Sequence, residues 1–483
     1  MVTCHLLLLG GAALLAQAEA FVGPSSGLAR VKHVESKLAR RPRVSLPLMS
    51  SVVGDARTAS KGKTDPTEEM AKLSRPQLQA VASKGFKELF GSPSGLDKPV
   101  SCFAPGRVNL QGDHTDYQLG YVMPMALERG TVIYGVGKLV SSTDPAAGLC
   151  KVASYNQGGA VVEFTADSTL EPGEPHWANY VKGVVAQYIK ALPADLSLSF
   201  SAFLVGTVPL GGGVSSSASL SVATAALLET ILEPVEKPDP LTRAHRCRAA
   251  EHEFLNTPCG IMDQFVTSCA EPGCAMLLDC RSEVPSSVLM DDPDLAVVVT
   301  NSNVVHSLGE RGSQYPVRVA QCNAAVEALQ GAYPDAGIES LRDATVKQVE
   351  SLEGKISDVI FKRARHVVSE NDRCLKTAEA LKAKDYTTAG RQMLASHRSL
   401  ATDYEVSCTE LDTLVTLAMQ VEGVYGSRLT GAGFGGCTVT MVRKDCVDDL
   451  ISHLKRYYKG LAGVDCSCFV TQAGVGAHVM EPN

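Results

Sequence analysis

Residues 208–218 read Val-Pro-Leu-Gly-Gly-Gly-Val-Ser-Ser-Ser-Ala, directly after the apolar run Phe203-Leu204-Val205 and before a segment rich in Ala, Leu and Val. Glycines let backbone N–H groups approach an anion closely, and serines at the start of a helix lie beside its unpaired N–H groups and positive dipole end. The pattern predicts a strand, a phosphate-binding loop and a helix. It lacks the Gly-Lys-Ser/Thr ending of a Walker A loop, and a glycine-rich turn capping a buried helix would contain the same residues.

A second cluster of polar residues lies upstream, where residues 104–117 read Ala-Pro-Gly-Arg-Val-Asn-Leu-Gln-Gly-Asp-His-Thr-Asp-Tyr. An Arg, a His and two Asp so close together cannot all be core residues, so they are either solvated or line a polar cleft. Asp and His side chains offer the hydrogen-bond donors and acceptors that sugar hydroxyls require. A third glycine-rich segment, residues 428–438, opens into a strand and is also typical of a tight turn or bulge.

The rest of the chain mixes strand-like and helical patterns without regular alternation, which favours the α+β class over a doubly wound sheet. Thr67 to Leu89 has a helical pattern, followed by a turn rich in Gly, Pro and Ser. The other runs are strand-like at 132–136, 161–164, 196–205, 275–278, 295–300 and 437–442, and helical at 180–191, 216–232, 317–329, 360–381 and 408–421.

Composition is that of an ordinary globular chain with 483 residues, 45% apolar content and a formal charge of −7. Residues 1–63 contain nine Lys/Arg against three Asp/Glu, so the remainder is at −13. An acidic body argues against nucleic acid or an anionic membrane as a partner. The fifteen cysteines include no CxxC pair or zinc-type spacing and favour reduced thiols in a reducing compartment.

The N-terminus has the composition of a targeting leader. Leu6 to Ala16 is long enough for the apolar region of a signal peptide, and it is followed by Ala18-Glu19-Ala20. The basic stretch from Phe21 resembles the second part of the bipartite leaders of algae with complex plastids. We therefore expect a signal peptide over 1–20, a transit peptide or disordered leader over 21–60 and a plastid location, with secretion or a cytoplasmic location as alternatives.

Taken together, the three motifs resemble those of galactokinases in the GHMP kinase superfamily, whose signature runs Gly-Arg-x-Asn-hydrophobic-Ile-Gly-Glu-His-Thr-Asp-Tyr. The likeness extends from about Cys102 to the C-terminus and includes three further segments, residues 260–265 (Gly-Ile-Met-Asp-Gln-Phe), 302–307 and 396–408. It implies a two-domain GHMP kinase fold. The N-terminal domain, over 75–290, would have a mixed sheet and the sugar and ATP loops; the C-terminal domain, over 291–483, would be ferredoxin-like, and the active site would lie in the cleft between them.

The resemblance also implies an activity, the ATP-dependent phosphorylation of the anomeric hydroxyl of galactose. It gives Asp263 the role of base toward that hydroxyl and places Arg107 beside the transferred phosphoryl group. The galactose contacts implied are Asp113, His114, Asp116 and Tyr315. The nucleotide contacts implied are Gly211, Gly213, Ser215, Ser216 and, near the adenine, Trp177.

Magnesium is expected with ATP, because phosphates need a hard cation that takes few ligands from the protein. By resemblance these ligands are Ser217 and Glu251. Three of the assigned residues also fit simpler roles, since Asp263 could cap a helix, Glu251 could be solvated and Trp177 could pack in the core. No other partner is expected, and the chain is predicted to be a monomer without stable membrane association.

The sequence departs from the family pattern at three positions. Asp113 replaces the usual Glu and shortens the side chain by one methylene, about 1.5 Å, so we expect the loop to move in or a water to fill the gap. This change puts discrimination at the distal side of the sugar in doubt. Gln111 replaces an apolar residue and Ser221 replaces a Glu, and the sequence explains neither.

Other functions remain open at this point. A kinase for N-acetylgalactosamine, galacturonate or arabinose is the nearest alternative, although Thr115 resembles the residue that galactose kinases have at this position. A non-catalytic sugar- and ATP-binding regulator is known among galactokinase relatives, but the Ser217-Ala218 step that such proteins lose is intact here. Mevalonate and homoserine kinases lack the set His114-Thr115-Asp116-Tyr117.

Overall fold

The structure is a computed structural model that describes residues 66–94, 98–233, 235, 238–305 and 308–481, without the side chains of residues 305, 308–313 and 315. The predicted signal peptide over 1–20 and leader over 21–60 lie outside the described residues. The described residues all belong to one compact unit.

The strands occur along the whole described region and form three sheets. They are β1 (Val100–Asn109), β2 (Tyr121–Val122), β3 (Pro124–Ser141), β4 (Leu149–Ser154), β5 (Val162–Thr165), β6 (Leu196–Gly206), β7 (Cys274–Asp279), β8 (Val284–Leu289), β9 (Leu295–Val305), β10 (Val424–Leu429), β11 (Gly435–Arg443), β12 (Ser467–Thr471) and β13 (His478–Val479).

The α-helices lie on the faces of these sheets or connect them. They are α1 (Pro66–Met70), α2 (Arg75–Phe90), α3 (Ala178–Ile189), α4 (Ser216–Leu232), α5 (Pro240–Ala249), α6 (Met262–Cys269), α7 (Leu308–Ala332), α8 (Val346–Glu350), α9 (Asp358–Lys382), α10 (Tyr386–Thr402), α11 (Thr409–Ala418) and α12 (Val447–Ala462).

The first sheet has the order β13-β1-β3-β6-β4-β5 and is mixed, because β4 runs parallel to β6 while the other neighbours are antiparallel. Helices α3 and α4 bury one of its faces in a core that contains Val181, Val222 and Leu227. Helix α2 covers the other face through Phe86, which packs with Tyr134. The packing of helices on both faces of the sheet holds the start of α4, and with it the loop at 211–217, near the end of β6.

The second large sheet has the order β10-β11-β9-β12 with antiparallel neighbours throughout. Helices α7 to α11 connect β9 to β10, and α12 connects β11 to β12. This is the βαββαβ order of a ferredoxin-like domain, with extra helices in the first crossover. The predicted α+β class, mixed first sheet and ferredoxin-like second half are therefore confirmed.

Two details differ from the sequence pattern. The helical stretch predicted from Thr67 to Leu89 is two helices, because Ser74 and Gln77 form a capping box on either side of Pro76 and begin α2 anew. The C-terminal strand β13 returns to the first sheet, where Cys102 pairs with Val479. In the described region, no helix combines the length and apolar character needed to cross a bilayer.

Candidate active site

The three glycine-rich segments meet in space. The backbone N–H of Arg107 donates to the carbonyl of Val214 at 3.2 Å, which joins the first segment to the loop of α4. Gly431 packs so tightly on Gly213 that an added Cβ would lie 2.3 Å from the Gly213 carbonyl oxygen. Residue 431 has to be a glycine also because its φ of 82° is one that other residues rarely adopt. The third segment is therefore part of the site and more than a turn.

Arg107 and Asp263 form the centre of this junction. The Arg107 Nε lies 2.7 Å from Oδ1 of Asp263, and Nη2 lies 2.8 Å from Oδ2. The remaining nitrogen, Nη1, donates to the carbonyl of Gly213 at 2.7 Å. Ser215 adds a short hydrogen bond from its hydroxyl to Oδ2 of Asp263. Asp263 is thus held beside the phosphate-type loop by a guanidinium and a hydroxyl, with its own charge compensated.

Asp116 and Glu251 bring two more carboxyl groups to the same place. Burial and the charge of Asp263 raise the pKa of Asp116 to about 6 and the pKa of Glu251 to about 7. Gln264 Nε2 donates to Glu251 at 2.9 Å. Asp116 lies directly on Gly260, where an added Cβ would be 1.6 Å from its Oδ2.

An irregular helical turn brings Glu251 to this position. Residues Ala250–Phe254 form a π-helical turn at the end of α5, an irregularity that often occurs at functional sites. His252, on the same turn, accepts a hydrogen bond from the Cys259 N–H at 2.8 Å and holds the loop before α6. Glu251 and Asp263 thereby face one another across a single cavity.

His114 occupies another wall and is neutral. Its backbone has a φ of 65°, and its ring nitrogens lie 3.1 Å from the Tyr117 hydroxyl and 3.2 Å from the Ala432 carbonyl oxygen. Burial and the nearby His366 lower the pKa of His114 to about 3. Tyr117 makes a short hydroxyl-to-hydroxyl hydrogen bond with the fully buried Tyr404. Both ring nitrogens already have protein partners, so the neutral ring could bind a sugar hydroxyl only in place of one of them, and it offers no positive charge.

Asp113 is paired with Arg428 inside the protein. Nη2 of Arg428 donates to Oδ2 of Asp113 at 2.5 Å, and the two side chains are 0% and 2% exposed. Burial raises the pKa of Asp113 in spite of Arg428. Nη1 of Arg428 also donates to the Asn109 carbonyl at 3.0 Å. Asp113 is therefore held by a buried ion pair, and the expected loop movement or filling water stays a prediction.

Gln111 is explained by a buried network on α9. Its Nε2 donates to Oε1 of Glu370 at 2.9 Å, and the Gly112 N–H donates to the same oxygen at 2.9 Å. Burial alone would raise the pKa of Glu370, but Arg373 and His366 lower it to about 2. His366 itself lies 3.1 Å from the Asp113 carbonyl oxygen. Nothing in the structure explains Ser221, whose buried hydroxyl has no hydrogen-bond partner among the described residues.

Six of the predicted site residues line one cavity of about 180 Å³, at a junction of both halves of the chain. Its walls include Arg107, Asp113, His114, Asp116, Glu251, Asp263, Gly431 and Ala432. Gly213 and Ser215 form hydrogen bonds with two of these wall residues, Arg107 and Asp263 respectively. Gly211 and Ser216 belong to the same loop. The side chain of Tyr315 lies outside the described residues.

Like the loop residues, Ser217 and Trp177 are not among the wall residues. Ser217 is in the first turn of α4, and Trp177 is partly buried and packs on the core of the first sheet. The sequence alone assigns no role to Arg428, His366 or Glu370. The spacing of His366 and Glu370, four residues apart on one helix, was the available signal.

Comparison with known proteins decides the family. The profile "Galactokinase galactose-binding signature" matches residues 84–135. Profiles for the N-terminal and C-terminal GHMP kinase domains match residues 179–271 and 377–460. The chain is 46% identical to the galactokinase of Homo sapiens over 423 residues, which cover 85% of this chain and 100% of the human protein. The chain belongs to the galactokinase family.

Other galactokinases support the assignment. The chain is 39% identical to that of Clostridium acetobutylicum, with coverage of 78% of this chain and 93% of the relative. The crystal structure of Lactococcus lactis galactokinase complexed with galactose superposes with a TM-score of 0.75 at 32% identity, covering 83% of this chain and 99% of that one. The predicted GHMP kinase fold is thereby confirmed, and the chain is an ATP-dependent sugar kinase.

Proposed function

We propose that the chain transfers the γ-phosphoryl group of ATP to the anomeric hydroxyl of D-galactose, giving α-D-galactose 1-phosphate and ADP. The observation that carries this proposal is the contact of Arg107 with both Asp263 and the Gly213 carbonyl. It joins a carboxylate in a small polar cavity to a glycine-rich loop at a helix N-terminus. Such a junction suits phosphoryl transfer to a small polyol.

Asp263 is the proposed base. It would accept or orient the proton of the attacking hydroxyl, while Arg107 offsets the charge that develops on the transferred group. Asp113, His114, Asp116 and Tyr315 are the proposed galactose contacts. His114, neutral because of burial, can accept or donate a hydrogen bond. Asp116, held against Gly260, can accept from a hydroxyl when it is ionised.

The loop residues Gly211, Gly213, Ser215 and Ser216 are proposed to hold the phosphates, Gly211, Gly213 and Ser215 through backbone N–H groups and Ser216 also through its hydroxyl. Gly211 and Gly213 have φ values of 68° and 71°, which a side chain would disfavour. The N–H groups of the first turn of α4 point out of the helix and favour an anion. Trp177 is the proposed adenine neighbour, and its partial burial on the core leaves it a packing role as well.

Magnesium is the proposed cofactor, with Glu251 and Ser217 as its protein ligands. Glu251 is a buried carboxyl group beside a second carboxylate, and this excess of negative charge suits a hard cation. No group of three His, Cys, Asp or Glu side chains in the described ranges could hold a metal alone. This agrees with an ion that takes most of its ligands from phosphate and water. When bound, the ion would neutralise charge on the phosphates.

The test is an ADP-release assay with ATP, Mg²⁺ and a panel of galactose, N-acetylgalactosamine, galacturonate, arabinose and glucose. We expect the highest kcat/KM with galactose. The charge of the cavity also argues against galacturonate. Arg107 and Arg428 are already paired with Asp263 and Asp113, and the carboxyl groups of Asp116 and Glu251 add only negative charge. A preference for another sugar would contradict the substrate, and the absence of turnover with all five would contradict the activity.

Two properties rest on sequence alone. The leader composition supports import into a plastid, and we propose that location over secretion or the cytoplasm. Imaging residues 1–60 fused to a fluorescent reporter tests it, and secretion into the medium would contradict it. We also propose a monomer, which light scattering of the purified chain would test.

A further inference from the structure

Ser215 begins α4 in an unusual way. A serine at a helix N-cap normally has an extended backbone, and its side chain accepts a hydrogen bond from a helix N–H. Ser215 instead has φ 60° and ψ 47°, and its side chain makes no such bond. A residue other than glycine in the left-handed region is uncommon and persists where the surrounding structure demands it.

The side chain of Ser215 bonds to Asp263 instead. Its hydroxyl donates to Oδ2 of Asp263, the oxygen that also receives Nη2 of Arg107. The serine is only 8% exposed, so water competes little for this bond. Arg107 approaches from β1 and Ser215 from the loop, and together they oppose rotation of the carboxylate.

We infer that Ser215 is a positioning residue for Asp263, a role distinct from holding phosphate and one that rests on the proposed function of Asp263 as the base. The left-handed backbone turns the hydroxyl away from the helix N–H groups, which stay available for the phosphates of ATP. The same residue then orients the carboxylate that faces the sugar. The loop for ATP and the base are held in one arrangement through a single side chain.

The test is Ser215→Ala in the full chain, with Ser216→Ala as the matched control from the same loop. Loss of a hydrogen bond to a charged group should lower kcat of Ser215→Ala by roughly 10- to 100-fold. The KM values for galactose and ATP should stay within about threefold, since Arg107 still holds the carboxylate. Ser216→Ala should act mainly on the KM for ATP. This split between kcat and KM would not follow from a structural or phosphate-binding role.

Ser215→Gly is the second variant, since glycine keeps the left-handed backbone without strain. It should lose kcat as Ser215→Ala does, even if the alanine variant folds poorly. A kcat within twofold of wild type in the folded variants, or a loss confined to the KM for ATP, would overturn the inference. Asp263→Asn in the same assay tests the proposed function separately. A fully active Ser215→Ala beside an inactive Asp263→Asn contradicts the role of Ser215 alone.

Discussion

Arg107 holds both carboxylate oxygens of Asp263, with Nε 2.7 Å from Oδ1 and Nη2 2.8 Å from Oδ2. The two residues are 156 positions apart and join strand β1 to the first turn of α6. The third nitrogen of the same guanidinium binds the glycine-rich loop. One planar side chain therefore sets the distance between the proposed base and the proposed phosphate site.

Arg107→Lys should lower kcat by about 10- to 100-fold, because a lysine keeps the charge but cannot bind two oxygens and a carbonyl in one plane. Kinetic assays and thermal unfolding of the purified variant measure this. Arg443→Lys, which changes a half-exposed arginine paired with Asp445, should leave kcat unchanged. Equal activity of the two variants would contradict the role of the two-point contact between Arg107 and Asp263.

Gly260→Ala should raise the KM for galactose at least tenfold. The new methyl group would lie 1.6 Å from Oδ2 of Asp116 and force that carboxylate out of its place. Gly331→Ala is the matched control, since apart from the backbone of its own helix no described residue would lie within 4 Å of the added methyl group. A galactose KM in Gly260→Ala equal to that of the control would remove Asp116 from the sugar site.

Asp113→Asn should destabilise the protein by about 3–5 kcal/mol, because it leaves the buried guanidinium of Arg428 without its counter-ion. Urea unfolding gives the difference. Asp372→Asn breaks an exposed pair with Lys376 and should cost no more than about 1 kcal/mol. Matching losses in the two variants would show that the Asp113–Arg428 pair is unimportant for folding.

Turnover should fall as the pH drops through about 7. Burial and Asp263 raise the pKa of Glu251 to about 7 from an ordinary 4.5, so the group takes up a proton in this range and loses its capacity to bind a cation. Higher Mg²⁺ concentrations should move the acidic limb to lower pH, because the metal competes with the proton. Measuring kcat/KM from pH 5.5 to 8.5 at two Mg²⁺ concentrations tests this, and a limb insensitive to Mg²⁺ would contradict it.

The same raised pKa has a consequence for stability without metal. The folded state binds the Glu251 proton more tightly than the unfolded state does. The contribution of Glu251 to the free energy of unfolding therefore rises as the pH falls from about 7 toward 4.5.

Part of the fold and of the candidate site could be predicted because it depends on local sequence patterns. Glycines at 211–213, followed by serines and an apolar helix, specify a loop and α4 through their own conformational preferences. The resemblance then named the residues that meet in the cavity. The contacts that could not be predicted join residues that only the tertiary fold brings together. Asp113 and Arg428, for example, are 315 positions apart.

Two further features depend on context that a local pattern does not contain. Strand β13 has only two residues, and its place beside β1 depends on where the chain returns after β12. Ser215 fits the N-cap preference of its residue type, yet its side chain is used elsewhere because Asp263 lies within reach. Propensity predicts that a helix begins here but does not identify the partner of its first hydroxyl.

The most direct test of the central claim is Asp263→Asn, assayed for turnover with saturating galactose and ATP and for galactose binding by calorimetry. The amide nearly matches the carboxylate in shape but is a poor proton acceptor. Turnover should fall by about 10² to 10⁴, while galactose affinity stays within a few-fold of wild type. Wild-type turnover in this variant would contradict the role of Asp263 as the base.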